Sequence, residues 1–292
     1  MEPMDNLQEI DRTTFEEQWQ QWHVARERGL AARHGFLAVT GTYWLTATPE
    51  RFPGAPGKWS TGDDGVKVVL DDGELLTIDD VVISGEHRFG VIAERGGRTV
   101  YFGDAAIELA KRGGYDIVRP RHPDHYLRAK FSGVPTYAPD PRWALKSRFV
   151  AFSVPQATTV GSVVEGLEHV YDAPGQVEFD FGGARFRLTA FNGATPGSLL
   201  VLFTDATSGT TTYAANRSVS LDPPDEHGHV TLDFNRAVNL PCAFTDFATC
   251  PLPPADNRLP IAIEAGEKTP YERQSGQSNP PDFAGARSGS GN

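Results

Sequence analysis

Cysteine is nearly absent from this sequence, with two in 292 residues. Two thiols cannot build the disulfide framework on which small secreted folds rely. Long apolar runs are also missing, and no stretch approaches the roughly 18 consecutive apolar residues of a membrane span. The first residues, MEPMDNLQEIDRTTFEEQWQ, are acidic and lack the apolar run of a signal peptide. A soluble, cytoplasmic protein with no membrane role is therefore expected. Positive charge is in deficit: 27 Lys and Arg stand against 38 Asp and Glu, a formal charge of −11. Such a surface repels a phosphate backbone overall, so no nucleic-acid partner is expected. No Walker loop, GxGxxG, GxSxG or HExxH occurs, which argues against the nucleotide-binding, hydrolase and zincin classes that require them.

What the chain does have is glycine and proline, 30 and 22 residues respectively, with 39% hydrophobic residues. These residues interrupt helices and punctuate short strands, and the length suffices to bury a sizeable core. The expected fold is mainly β: an N-terminal helix followed by two closely joined antiparallel β modules of sandwich or barrel type. The expected division places the helix and lead-in at residues 1–35, an N-terminal β module at 36–143, a C-terminal β module at 144–271 and a disordered tail at 272–292.

A helix is expected from Thr13 to Arg33, capped by Thr13 or Thr14, with Phe15, Trp19 and Trp22 on the face laid across the β core. Strands are expected at 37–44, 66–70, 81–83, 89–93 and 99–102, with Gly96 and Gly97 turning a hairpin between the last two. Arg119, Arg121, His122, His125, Arg128 and Lys130 form a basic patch that could draw an anion. The expected role is a solvated loop paired with surplus carboxylates. VPTYAPDPRW, residues 134–143, reads as an extended connector packed by its aromatics. Beyond it, strands are expected at 147–152, 158–164, 168–173, 175–181, 184–191, 198–204, 211–213 and 218–221. From Glu272 onward almost nothing is apolar, hence the expectation of disorder.

The polar residues concentrate between Asp233 and Lys268. In VTLDFN (230–235) strand alternation puts Val230, Leu232 and Phe234 on one face and Asp233 and Asn235 on the other. LPIAIE (259–264) likewise separates Leu259, Ile261 and Ile263 from Glu264. Asp233, Asn235 and Glu264 could then converge, with Arg217, Asn239, Glu267 and Lys268 close enough in sequence to join. Between the two runs lies NLPCAFTDFATCPLPPADN, a loop too rich in proline for regular structure. Its Cys242 and Cys250 could pair, ligate, supply a nucleophile or fill space, and buried reduced thiols are preferred. No metal site is expected, because two cysteines do not close a zinc site and the spacing to His227 and His229 matches no standard module.

FTDATSGTTTYAANRSVSL (203–221) and DFNRAVNLPCAFTDFATCPLPPADNRLPIAIEAGEK (233–268) resemble the bacterial and archaeal DUF1684 family. The likeness runs through Phe203, Asp205, Thr207, Gly209, Thr212, Tyr213 and Arg217. It continues through Asp233, Phe234, Asn235, Asn239, Pro241 and Cys242, then Cys250, Pro251, Asn257, Leu259, Glu267 and Lys268. Ala214 to Asn216 and Val238 depart from the pattern, where a Gly-rich approach and an aromatic are usual. The resemblance implies no reaction, cofactor or catalytic residue, so enzymatic activity is left open.

Three readings of the motif follow. In the first, Asp205, Arg217, Asp233, Asn235, Asn239, Cys242, Cys250, Asn257, Glu264, Glu267 and Lys268 line a pocket for a small polar or anionic ligand. Arg217 and Lys268 would hold the anionic group and a carboxylate would act as base. In the second, the Pro-rich loop or the N-terminal tryptophans contact a partner without chemistry. In the third, the polar residues are a buried latch for an irregular loop.

Overall fold

The computed structural model describes residues 12–276, 280, 281 and 283. Its first element is α1, Arg12–Leu30. Ten short strands follow: β1 (Tyr43–Trp44), β2 (Glu50–Phe52), β3 (Ala55–Ser60), β4 (Val66–Val69), β5 (Leu76–Ile78), β6 (Val81–Ile83), β7 (Glu86–Gly90), β8 (Gly97–Phe102), β9 (Ala105–Arg112) and β10 (Tyr115–Arg121). After the short helix α2 (Tyr126–Lys130) come β11 (Ala144–Gly161), β12 (Glu168–Phe181), β13 (Ala184–Asn192), β14 (Leu199–Phe203), β15 (Arg217–Leu221), β16 (His229–Asp233) and β17 (Val238–Asn239). The protein is mainly β, an N-terminal helix followed by antiparallel sheets in a sandwich-like arrangement.

The strands form three sheets, in the orders β1-β10-β9-β8-β5-β6, β2-β3-β4-β7 and β16-β11-β12-β13-β14-β15-β17. In β4 the alternation is plain: Val66 and Val68 are buried while Lys67 and Val69 are only partly covered. That inward face joins Trp59, Phe89, Val100, Ile107, Leu109 and Val118 in one cluster, so the first two sheets share a core. The third sheet has its own core of Val177, Phe179, Leu188, Val201, Phe203, Leu232 and Phe234. Burying each such side chain contributes about 1.5–3 kcal/mol.

Several local expectations yield to tertiary structure. Residues 37–44 are not one strand: Phe36–Ala38 form a 3-10 turn, Val39 makes a single bridge to Arg121, and Tyr43–Trp44 pair with β10. The Ala38 N–H donates to Gly35 O at 3.1 Å and the Val39 N–H to Phe36 O at 3.3 Å, local turn bonds that replace a strand ladder there. Gly96 and Gly97 do not join a hairpin, because β7 pairs with β4 while β8 pairs with β9. The two strands expected between 147 and 164 are one long β11, whose register shifts between Ala151 and Gln156, around Pro155 with no N–H to donate. The two expected between 168 and 181 likewise merge in β12. Residues 211–213 are a turn, with the amides of Thr210, Thr211 and Thr212 all donating to the Thr207 carbonyl. Thr13 and Thr14 lie inside α1 rather than capping it.

α1 lies across the third sheet and its loops. Trp19 Nε1 donates to the Asn235 carbonyl at 2.9 Å, and Arg26 Nε donates to Glu267 at 3.0 Å. The connector after α2 is extended and locked to the end of the motif, with Tyr137 N donating to Gly266 O at 3.0 Å and Lys268 N donating to Pro135 O at 2.7 Å. The tail expected to be disordered is held in part: Gln274 N donates to Phe244 O at 2.8 Å, and Phe283 packs edge-on against Trp44 and Tyr115. Residues 277–279, 282 and 284–292 of that tail lie outside the described residues.

Candidate functional site

The expected convergence of Asp233, Asn235 and Glu264 does not form. After Asp233 the chain turns into a 3-10 helix, Phe234–Arg236, with the Asp233 carboxylate accepting the Asn235 N–H at 3.0 Å. Asn235 is buried, and its amide exchanges bonds with the Asp140 backbone. Burial raises the Asp233 pKa above the usual carboxylate value, opposed by the bonds from Asn235. Residues 259–264 are irregular rather than a strand, and Glu264 is exposed. This segment meets residues 204–206 through only two backbone bonds, Leu259 N to Thr204 O at 2.8 Å and Ala206 N to Ile261 O at 3.0 Å, and the next carbonyls, of Ile263 and Ala265, are taken by the Arg217 guanidinium.

The other motif residues form two buried clamps. Arg217 Nη2 donates to Asp205 at 2.6 Å, and Asp205 also accepts from the Thr207 hydroxyl at 2.6 Å. Burial lowers the Arg217 pKa, with Asp205 opposing. Glu267 takes Arg26 on one side and the Asn239 N–H, at 2.6 Å, on the other. Asn239 Nδ2 donates to the Lys268 carbonyl at 2.7 Å, and the Lys268 ammonium lies 4.3 Å from the Tyr137 ring centre. Asn257 makes three bonds from one buried amide: it accepts Thr189 N–H and donates to the carbonyls of Thr189 and Leu202. Arg217 Nε and Asn239 Oδ1 are the atoms of this set left without a partner.

Two open spaces adjoin the motif. A cavity of about 650 Å³ lies beside Asp205, Ser208, Ala214, Leu252, Arg258 and Pro260. The Asp205 carboxylate in its wall is already engaged by Arg217. A smaller cleft, about 270 Å³, opens between β9, β10 and β12 on one side and the Pro-rich loop on the other. Its walls are Phe36, Arg95, Glu108, Arg112, Arg119, His169, Tyr171, Leu240, Pro241 and residues 248–251.

Strand register builds this cleft. Glu108 on β9 is directly opposite Arg119 on β10, so the two side chains share a face. Arg121, two residues further on, and Arg112, on the same face of β9 as Glu108, point the same way. Glu108 accordingly accepts from Arg119 at 3.0 Å, from Arg112 at 3.3 Å and from Arg121. The Arg119 residue is only 2% exposed. Its remaining donors reach Thr42 Oγ1 at 3.1 Å and Thr249 Oγ1 at 3.5 Å. Burial acts to raise the Glu108 pKa, but the charges of Arg119, Arg121 and Arg112 outweigh it and the net shift is downward. Arg119 is shifted down by burial, with Glu108 opposing.

β12 and the loop add further polar groups. Arg95 sits 4.4 Å from the centre of the Tyr171 ring. His169 donates through Nε2 to the Thr249 carbonyl at 2.9 Å, leaving Nδ1 a buried lone pair without a partner. Burial lowers the His169 pKa, opposed by that bond. Cys250 accepts the Cys242 N–H on its sulfur at 3.3 Å, and both thiols are free and buried. Burial works against a Cys250 thiolate, but the Cys242 S–H and N–H and the charges of Arg119 and Arg112 prevail and lower its pKa. Cys242 is shifted upward, first by its bond to Cys250 and then by burial.

Of the sequence candidates, only Cys250 lines this cleft, with Cys242 directly behind it. Arg119, expected in a solvated loop, is instead a strand residue buried against Glu108. Arg95, Glu108, Arg112, His169, Tyr171 and Thr249 were not expected. The available signal was the placing of Glu108, Arg112, Arg119 and Arg121 on one face of two adjacent strands, visible only once their register is known. His227 and His229 are exposed and engage Glu226 and Asp225. Among the described residues no group of three or more His, Cys, Asp or Glu is placed to hold a metal.

The fold and motif together define a mainly β protein whose C-terminal sheet is closed by a clamped, Pro-rich loop. Residues 129–268 match the family described as protein of unknown function (DUF1684), and the chain belongs to that family. A similar solved structure is the solution NMR structure of an uncharacterized protein of Haloarcula marismortui, 30% identical, covering 49% of this chain and 80% of that chain with a TM-score of 0.42. No curated protein matches the chain.

Proposed function

We propose that the protein binds a small anionic molecule in the cleft between the β9–β10 hairpin and the Pro-rich loop. The observation that carries this reading is the sharing of one carboxylate, Glu108, among Arg112, Arg119 and Arg121, with Arg95 in the same cleft. A surplus of guanidinium in a partly enclosed, low-dielectric space attracts an anion more strongly than the same charges on an open surface. Arginine forks also suit carboxylate and phosphate oxygens. His169 Nδ1 and Thr249 Oγ1 add groups that can orient a bound molecule.

The test is a thermal-shift titration of the full chain with inorganic phosphate and with malonate, against chloride at matched ionic strength. A ligand that binds the native state raises the melting temperature. The expected result is a rise with phosphate or malonate that Arg112→Gln abolishes and that Arg185→Gln, an exposed arginine paired with Asp180, leaves intact. A shift no larger than with chloride, or unchanged in Arg112→Gln, overturns the reading.

A second reading concerns the family motif. Asp205, Arg217, Asn235, Asn239, Asn257 and Glu267 spend nearly all of their bonding capacity on protein atoms, which favours a structural latch over a ligand pocket. The latch holds the irregular 234–268 segment to α1 and the third sheet, and thereby fixes one wall of the cleft.

A further inference from the structure

The two cysteines of the chain meet at the cleft. Cys250 forms part of its wall, and its sulfur is 3.3 Å from the Cys242 backbone nitrogen. With N–Cα about 1.46 Å, the Cys242 Cα lies at most about 4.8 Å from that sulfur, a separation compatible with a disulfide. Cys250 lines the cleft together with Arg112 and Arg119, and the cleft holds an unpartnered imidazole nitrogen on His169. Guanidinium charge beside a thiol favours the thiolate, which is the reactive form. A cleft of about 270 Å³ admits a small peroxide to Cys250 while Cys242, only 1% exposed, stays behind it.

We propose that Cys250 and Cys242 are a hydroperoxide-reducing thiol pair, in which Cys250 attacks the peroxide and Cys242 resolves the oxidised sulfur. The Cys250 thiolate attacks one oxygen of ROOH, an S–O bond forms and the O–O bond breaks. The alkoxide leaves and takes a proton as ROH, and Cys250 becomes a sulfenic acid. The Cys242 sulfur then attacks the Cys250 sulfur, the S–S bond forms and the S–O bond breaks. The departing hydroxide leaves as water with the proton that Cys242 gives up. Two thiols have been oxidised and one hydroperoxide reduced, and a dithiol reductant returns the pair to its starting state. The Cys242 side chain, held neutral next to Cys250, is suited to the resolving role, and the cleft arginines stabilise the charge that develops on the leaving oxygen.

The proposal shares its cleft with the anion-binding reading, so the test reads sulfur chemistry rather than affinity. The full chain is exposed to one equivalent of hydrogen peroxide at pH 7, alkylated, and digested with trypsin. Arg236 and Arg258 flank both cysteines with no Lys or Arg between, so one peptide, 237–258, reports both. The expected product escapes alkylation and is lighter by two hydrogens. It forms about tenfold or more faster than in the urea-unfolded chain, because an ordinary thiol is only a few per cent thiolate at that pH. In Cys242→Ser the reaction stops at Cys250 sulfenic acid, captured by a cyclic diketone probe, and in Arg112→Gln it slows. Oxidation no faster than in the unfolded chain, or diketone capture absent from Cys250 in Cys242→Ser, overturns the proposal. Inert thiols in a protein that binds inorganic phosphate would remove this proposal and leave the anion reading standing. Fast oxidation without phosphate binding would do the reverse.

Discussion

Arg217 Nη2 donates to Asp205 Oδ2 at 2.6 Å, and the two side chains retain 1% and 0% of their exposure to solvent. The same guanidinium holds the carbonyls of Ile263 and Ala265. Removing one partner leaves the other buried and uncompensated. Arg217→Ala and Asp205→Ala are each expected to cost about 3–5 kcal/mol in urea unfolding. An Asp205→Leu, Arg217→Met double variant should recover part of the loss, because burying apolar groups avoids the charge desolvation. Equal stability of wild type and either single variant would sink the latch reading.

Much of this latch was legible in the sequence as a set of residues, but its meaning was not. The motif names Asp205, Arg217, Asn239, Asn257 and Glu267, and all five are buried and bonded. Strand alternation suggested that Asp233, Asn235 and Glu264 share a face, and it failed where side chains compete for the backbone. The Asp233 carboxylate caps a 3-10 turn at 234–236, and 259–264 bonds to residues 204–206 only through Leu259 and Ile261 before Arg217 takes the Ile263 carbonyl. The helix face of Trp19 and Trp22 was readable because it needs only local periodicity. The arginine cleft was not, because Glu108 and Arg119 become neighbours through register, and the long β11 and β12 through pairing across a bulge.

Gly266 within the AGEK segment has φ of +78°, and a Cβ there would lie 2.5 Å from the Ala237 carbonyl oxygen. Its own carbonyl accepts Tyr137 N–H. Gly266→Ala is therefore expected to destabilise by about 2 kcal/mol or more, from the left-handed backbone and the forced contact together. Differential scanning calorimetry measures it, and an unchanged melting temperature would contradict this geometry.

His169 has a pKa below the ordinary histidine value, chiefly from burial. Its neutral form is favoured in the folded state, so between the folded value and the unfolded value near 6.5 the unfolded chain binds more protons. Stability from this group is complete above about pH 7 and declines as pH falls through the unfolded value. His169→Gln should flatten that part of the stability–pH curve measured by urea unfolding from pH 5 to 8. An identical slope in the variant would assign the dependence to another group.

Asn257 links β13, β14 and the Pro-rich loop through one side chain, with bonds to Thr189 N, Thr189 O and Leu202 O. Asn257→Ala deletes all three and leaves buried backbone groups unpaired, each costing about 1–3 kcal/mol. Asn257→Asp retains an acceptor for Thr189 N–H but places a charge against two carbonyls, so it should be at least as harmful. Hydrogen exchange locates the effect: the Thr189 amide should lose protection in Asn257→Ala and keep more of it in the Asp variant.

The docking of α1 rests on polar anchors along its inward face, Trp19, Arg26 and Glu27, whose Oε1 accepts the Val134 N–H at 2.8 Å. Trp19 Nε1 donates to Asn235 O at 2.9 Å, and Arg26 reaches both Glu267 Oε1 at 3.0 Å and Asn239 O at 2.8 Å. Arg26 is partly exposed while Glu267 is 1% exposed, so loss of Arg26 leaves a buried carboxylate with the Asn239 N–H as its remaining close donor. Arg26→Ala should cost about 3 kcal/mol or more, and Arg26→Met should cost nearly as much because the stem packs but the charge is still missing. Trp19→Phe removes one hydrogen bond and some area, and should cost less, about 1–2 kcal/mol. The decisive comparison is limited proteolysis: Arg26→Ala should expose α1 to cleavage under conditions in which the sheets stay intact. Simultaneous loss of helix and sheets at one urea midpoint would mean instead that α1 and the latch are one cooperative unit, which couples the N-terminal helix directly to the wall of the cleft.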